Sequence, residues 1–162
     1  VKEIKLTRGQ IALVDDSDYD WLNRWKWHVR RGGSNKRWYA THTTRIGKKY
    51  KVILMHRLIL GLTDPKVQCD HKDGDGLNNQ RLNLRASSNV ENQQNRKKQL
   101  GCSSKYKGVT WCKNHQKWKV RIVIDRKPLT IGYFSEEIDA AAAYNESAKE
   151  HFKEFALLNS FN

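Results

Sequence analysis

The chain is 162 residues long, enough for one ordinary core or two small ones, and its 38% hydrophobic and 10% aromatic content argues against disorder. Lys and Arg number 31 against 17 Asp and Glu, and the resulting net charge of +14 points to a polyanionic partner. The longest apolar stretch, Val52 to Leu62, is broken by His56 and Arg57 and is too short to cross a bilayer, so no membrane partner is expected. No signal-peptide pattern opens the chain, and the three cysteines, Cys69, Cys102 and Cys112, contain no C-x-x-C pair. They read as reduced thiols in a cytoplasmic protein.

Residues 1–66 form a basic, β-rich region. Ile4 to Leu6 and Gln10 to Val14 are predicted as strands joined by the Thr7-Arg8-Gly9 turn, and a short helix is expected within Asp15 to Trp27. Trp25 to Arg31, Trp38 to Thr44 and Lys49 to Leu54 alternate as in a small antiparallel sheet, with turns at Gly32-Gly33 and Ile46-Gly47. A helix begins at Met55 and stops at Gly61. Ten Lys or Arg and no acid lie between Arg24 and Lys51, a density that suits a phosphate-contacting surface. Arg30, Arg31, Lys36, Arg37, Lys48 and Lys49 are its candidate contacts. Most of the aromatics here are expected in the core, because a small sheet needs large side chains to close it. His28, His42 and His56 are read as structural.

Residues 67–98 carry the densest chemistry. Val67 to His71 reads as a strand, Lys72 to Gly76 as a reversal, Leu82 to Ala86 as a second strand, and Ser87 or Ser88 as the cap of a helix running to about Lys98. Asp70 and His71 then leave the first strand on opposite faces, Asn83 opens the second, and Asn92 projects from the helix about a turn inside its cap. Hard oxygen donors at Asp70 and Asn92 suit a Mg²⁺-like ion. A histidine near its ordinary pKa of about 6.5 can accept a proton from water at cellular pH, so the set fits phosphodiester hydrolysis. Each residue taken singly fits a plain turn or hairpin surface just as well. The combination Asp70-His71, Asn83 twelve residues after the histidine and Asn92 nine after that, within DHKDGDGLNN, resembles the HNH (ββα-metal) endonuclease motif in its H-N-N form. The resemblance implies His71 as general base, Asp70 and Asn92 as ligands of one divalent ion, with Mg²⁺ first and Mn²⁺ as the substitute, and Asn83 as the residue that positions the imidazole. Met55-His56-Arg57-Leu58 resembles the segment that precedes this hairpin in phage relatives. Asn78, Asn79, Asn89 and Asn95 are left with turn or helix-surface roles.

Residues 99–105 read as a linker, and a second module is predicted over 106–162. Its strands are Tyr106 to Trp111, Lys117 to Ile124 and Leu129 to Phe134, followed by a helix from Ser135 to about Phe155 that packs through Ile138, Ala141, Ala142, Ala148, Phe152 and Phe155. Trp118, Val120, Ile122 and Ile124 share one face of the middle strand, and Lys117, Lys119, Arg121 and Val123 the other. A basic sheet backed by an acidic helix offers its sheet to DNA. The stretch YKGVTW to EEIDAAAAYN is similar to the apetala-type (ethylene-response-factor) DNA-binding domain. That likeness implies Lys107, Thr110, Lys119, Arg121, Lys127 and Thr130 as DNA contacts. Thr130 stands where plant members usually carry Arg or Trp, so their target sequence does not transfer.

The expected fold is α+β: a small antiparallel sheet leading into a ββα hairpin unit, then a three-stranded sheet on one helix. The expected activity is metal-dependent, sequence-guided cleavage of double-stranded DNA, homing-endonuclease-like, by a monomer or homodimer. A DNA-binding regulator with an inactive nuclease unit is the alternative.

Overall fold

The computed structural model describes residues 1–32, 37–95, 98 and 101–161, and the chain divides into two compact units, Val1–Asn89 and Val90–Asn162. The architecture is mixed α and β, with small antiparallel sheets and four helices among the described residues. No helix is long and apolar enough to cross a membrane among them. Each unit holds its own apolar cluster.

In the first unit, β1 (Lys2–Lys5) pairs antiparallel with β2 (Ile11–Val14), and alternation sends Ile4, Ala12 and Val14 inward. α1 (Asp16–Leu22) follows and buries Leu22. Trp27 closes this corner, 2% exposed, with its indole N–H donated to the Leu22 carbonyl at 2.9 Å. β3 (His28–Arg31), β4 (Trp38–Ile46) and β5 (Lys49–Leu54) form the predicted antiparallel sheet in that order, with the first strand starting at His28 in place of Trp25 and the second running on to Ile46.

The next element is α2 (Met55–Ile59), which turns Met55, His56 and Ile59 inward. Gly61, at φ +64°, ends it, and the Leu62 N–H returns to the Arg57 carbonyl at 2.9 Å. The Arg57 guanidinium donates to the carbonyls of Val67 (2.6 Å) and Asp64 (2.7 Å), tying α2 to the start of the next hairpin. That hairpin is β6 (Gln68–His71) with β7 (Leu84–Ser87), paired Asp70↔Arg85 and His71↔Leu84. Its second strand begins two residues later than predicted. Residues 80–84 close a turn in which Asn83 and Leu84 N–H groups both reach the Gln80 carbonyl, so Leu82 is 88% exposed and Leu84 is the leucine that packs inward. α3 (Asn89–Gln94) opens at the last residue of the first unit and is shorter than predicted.

In the second unit, β8 (Val109–Cys112), β9 (Lys117–Ile124) and β10 (Lys127–Phe134) form a meander with β9 central and a bulge between Thr130 and Gly132. α4 (Glu137–Phe152) packs Ala140, Ala141, Tyr144 and Ala148 over Val109, Val120 and Ile122. Ile138 is 59% exposed, against the expectation that it packs, because the buried stripe is centred on Tyr144 and Ala148. The Tyr144 ring occupies the space above Gly108, where a Cβ would lie 2.1 Å from it. A 3₁₀ turn over Lys153–Phe155 replaces the predicted last turn of helix, at Lys153 with φ 48°.

Candidate active site

The β6–β7 connection, residues 72–83, is held by its own polar side chains. Asp73 accepts from the Asp75 N–H (2.8 Å), the Asn78 amide (2.8 Å) and the Asn83 amide (3.0 Å), while Asp75 accepts from the Leu77 N–H at 3.0 Å. The loop is also fastened to the body. Leu13 of β2 exchanges backbone bonds with Leu77 and Asn79 at 2.9 and 2.8 Å, and Arg81 grips the buried Asp18 of α1 through two bonds of 2.7 Å each. This accounts for the aspartates and asparagines in turn terms, and it also fixes the backbone that carries the candidate histidine. The His71 carbonyl accepts the Gly74 N–H at 2.9 Å.

His71 is 3% exposed. Its ring lies edge-on to His56 of α2, centroids 5.0 Å apart at 84°, and 6.0 Å from the Tyr39 ring of β4. Tyr39 also contacts His56, at 5.5 Å. Three elements therefore converge on this imidazole, and the approach is close because residue 76 is glycine. A Cβ there would stand 2.3 Å from the Trp38 carbonyl oxygen and 2.7 Å from the Tyr39 ring.

Burial sets the protonation states. Desolvation lowers the His71 pKa, and the Asn79 side chain with the charges of Asp73, Asp70 and Asp75 oppose it without cancelling it. His56 falls to about 3, through burial first and then the neighbouring His71 and Arg57. Both rings are consequently neutral at pH 7. The Cys69 thiol is pushed up to about 12 by burial and by Asp70, which removes it as a nucleophile.

Asp70, 2% exposed, sits across the ladder from Arg85, whose Nε and Nη2 both donate to Oδ2, at 3.0 and 2.7 Å. No three His, Cys, Asp or Glu side chains converge as a metal-binding group among the described residues. Asp70 supplies one hard carboxylate donor of the kind Mg²⁺ takes, and in this structure it is buried and engaged by Arg85. Asn92 lies half-buried on α3, in the second unit, so the first unit by itself brings together Asp70, His71 and Asn83.

Asn83, the residue expected to position the imidazole, bonds within the turn that follows His71. Both of its amide hydrogens are used within the loop, on Asp73 Oδ1 at 3.0 Å and the Asn78 carbonyl at 2.8 Å, and its Oδ1 accepts the Asp73 N–H at 3.1 Å. It braces the turn beside His71, and the Asn79 side chain is near enough to the imidazole to act on its pKa, upward against the larger effect of burial. Asn79 is fully buried, donates to the Leu77 carbonyl at 2.9 Å, and has an Oδ1 with no hydrogen-bond partner among the described residues. From the sequence, Asn79 is expected in a turn or on a helix surface and His56 in a structural role, and neither is expected beside the imidazole. A polar residue inside an otherwise turn-like run carries no local signal of burial, whereas His56 sits on the inward i, i+3, i+4 face of α2 with Met55 and Ile59.

The candidate nucleic-acid contacts divide. Arg30, Arg31, Lys48 and Lys49 are exposed, Arg37 is half-buried, and Lys36 lies outside the described residues. On the second unit's sheet, Thr110 pairs with Lys119 and Thr130 with Arg121, so these four share the face away from α4. Lys119 lies 5.8 Å from the Tyr133 ring. Lys127 is exposed but pairs with Ile124, which places it on the helix side of the register. Lys107 precedes β8 and is half-buried; its ammonium donates to the Gln94 carbonyl, and its backbone N–H donates to Asn159 Oδ1 at 2.6 Å. Burial pulls its pKa down to about 8, so it is a bracket of the second unit and not part of the open face.

No family model matches the chain. It is 28% identical over 156 residues to an uncharacterized HNH endonuclease of Acanthamoeba polyphaga mimivirus, an alignment that spans 96% of this chain and 78% of the viral protein.

Proposed function

We propose that the chain is a metal-dependent DNA endonuclease of the HNH type that hydrolyses phosphodiester bonds in duplex DNA. The observation that carries this reading is a neutral imidazole, His71, locked beside a buried carboxylate, Asp70, in a hairpin held by Asp73 and Asn83. The similarity to a viral protein named as an HNH endonuclease supports it along nearly the whole chain.

In this reading His71 takes a proton from water, the water oxygen bonds to phosphorus, the bond from phosphorus to the 3′ oxygen breaks, and the departing 3′ oxygen takes a proton from solvent. The products are a 5′-phosphate and a 3′-hydroxyl. Asp70 would hold one Mg²⁺, or Mn²⁺ in its place, with Asn92 as the second oxygen donor that the HNH resemblance implies. When bound, the ion neutralises charge on the phosphate oxygens and on the leaving oxygen. Arg85 keeps Asp70 oriented, and Asn83 keeps the turn that aims His71. His56 remains neutral beside His71 and so adds no competing positive charge to the base.

Arg30, Arg31, Lys36, Arg37, Lys48 and Lys49 grip phosphates, and the second unit presents Thr110, Lys119, Arg121 and Thr130 to a groove in the manner of an apetala-type domain. One active site per chain cuts one strand, so a monomer nicks and a double-strand break needs a dimer or a second visit. The role is homing-like.

Supercoiled plasmid incubated with the full chain, with Mg²⁺ or with EDTA, beside His71→Ala, tests the proposal. Open-circle or linear product that requires both the metal and His71 is expected. Intact plasmid at every metal concentration, on DNA bearing a sequence selected by the protein itself, overturns it.

A further inference from the structure

The first unit contains a ribbon with both faces open to solvent among the described residues. From Thr43 to Val52, β4 and β5 pair alone, and every residue except Thr44 is exposed. In water, a hairpin with two open faces has no reason to carry large apolar side chains. This one displays Ile46 at 59% exposure, Tyr50 at 75% and Val52 at 44%. It is also wholly basic. Arg45, Lys48, Lys49 and Lys51 lie in it, and no Asp or Glu occurs between Asp20 and Asp64.

The register sorts these side chains by chemistry. Arg45↔Tyr50 and Thr43↔Val52 share one face, so it carries a guanidinium, a phenol and exposed methyl groups. Ile46↔Lys49 and Thr44↔Lys51 share the other, so the ammonium groups are concentrated there and at the tip. The Arg45 Nε–H donates to the Gly47 carbonyl at 3.0 Å, which restrains the fork where the turn closes. Guanidinium and methyl groups are the partners of guanine and thymine edges, whereas ammonium groups on long stems suit phosphates.

We propose that this ribbon enters the major groove of the duplex as a base-reading element, with Arg45, Tyr50 and Val52 toward the bases and Lys48, Lys49 and Lys51 on the flanking phosphates. This rests on the DNA-cleaving reading above and extends it from phosphate contact to sequence choice. Size supports the groove assignment. A two-stranded ribbon fits the undistorted major groove, about 12 Å wide, whereas entering the minor groove, about 6 Å wide, requires the duplex to be widened or bent. Position adds a constraint, because β4 also carries Tyr39, whose ring is 6.0 Å from that of His71. Six residues of strand from Tyr39 to Arg45 span about 20 Å at roughly 3.4 Å each. A strand of duplex rises about 3.4 Å per base, so the bases read lie within about six base pairs of the bond cut.

The test uses the full chain carrying His71→Ala, in EDTA, so that binding is measured without cutting. A randomised duplex library is selected with this parent, with the parent plus Arg45→Ala and Tyr50→Ala, and with the parent plus Lys49→Ala and Lys51→Ala. These side chains are exposed, so circular dichroism and melting are expected to match among the three. The parent enriches a preferred sequence; the Arg45/Tyr50 variant loses the preference over one block of it, with affinity for that sequence down about 10- to 100-fold and affinity for random duplex nearly unchanged. The Lys49/Lys51 variant weakens on every duplex, and its salt slope drops by about 2. Mapping the wild-type cut within about six base pairs of that block completes the case. The proposal falls if the Arg45/Tyr50 variant enriches the same sequence as the parent, if the parent enriches none, or if ribbon variants change the oligomeric state in place of DNA choice. Absence of cutting by the wild-type chain would sink the nuclease reading while leaving this binding result to stand or fall alone.

Discussion

Gly76→Ala tests whether the seat of the Tyr39 ring matters to the imidazole beyond it. The glycine is buried, and an added Cβ would lie 2.3 Å from the Trp38 carbonyl oxygen and 2.7 Å from two atoms of the Tyr39 ring. The carbonyl belongs to a backbone paired with Arg31 in the sheet and yields poorly, so the loop or the ring must move. Reaching even 3.0 Å from that oxygen takes a shift of about 0.7 Å, and overpacking of this kind costs about 1–3 kcal/mol. For a unit of this size each kcal/mol lowers Tm by about 4–8 °C. Displacement approaching 1 Å beside a catalytic group costs about 100-fold in rate. The measurement pairs a thermal melt with single-turnover cleavage at a temperature where both proteins are folded. A lowered Tm with an undiminished cleavage rate would refute the claim that the Tyr39 wall sets the position of His71. An unchanged Tm would refute the packing argument itself.

Two further outcomes follow from titration and charge. Because His56 binds its proton at about 3 in the folded chain and near 6.5 in the unfolded one, the unfolded state holds more protons throughout that interval. Stability therefore falls as pH drops below about 6.5, by on the order of a few kcal/mol before the effect ends near pH 3, and His71 acts in the same direction. Urea unfolding from pH 7 to 4 should show this slope, and His56→Asn should flatten it; an equal slope in both would assign it elsewhere. For DNA binding, Arg121→Ala should lower the salt slope by about 1, whereas Lys107→Met should lower the melting temperature and leave that slope alone. A reduced slope for Lys107→Met would return Lys107 to the DNA face.

The amino-acid sequence determined more of this protein than its short elements suggest. Alternation at Ile4, Ala12, Val14, Val120 and Ile122 marks strands with one buried face, and hydrophobic spacing marks α2 and α4. Gly61 beyond α2 and the aspartates and asparagines after His71 mark the breaks, because these residues favour turns through their own backbone geometry and hydrogen bonds. All of this is local, so it can be read along the chain.

Tertiary structure decided the partners. Asn79 and Asn83 are the same residue type four positions apart, yet one is near enough to the imidazole to act on its pKa and the other staples the loop. The difference comes from β2, which takes Asn79 into its backbone ladder from 66 residues away in sequence. Lys107 and Lys119 look equally basic, but the clip through Asn159 draws Lys107 inward while strand alternation leaves Lys119 on the open face. His56 becomes a neighbour of His71 because α2 packs into the same core as the hairpin and Arg57 bonds to the hairpin's start. Side-chain type sets what a residue can do, whereas burial and long-range pairing, which depend on the whole fold, select which residue does it.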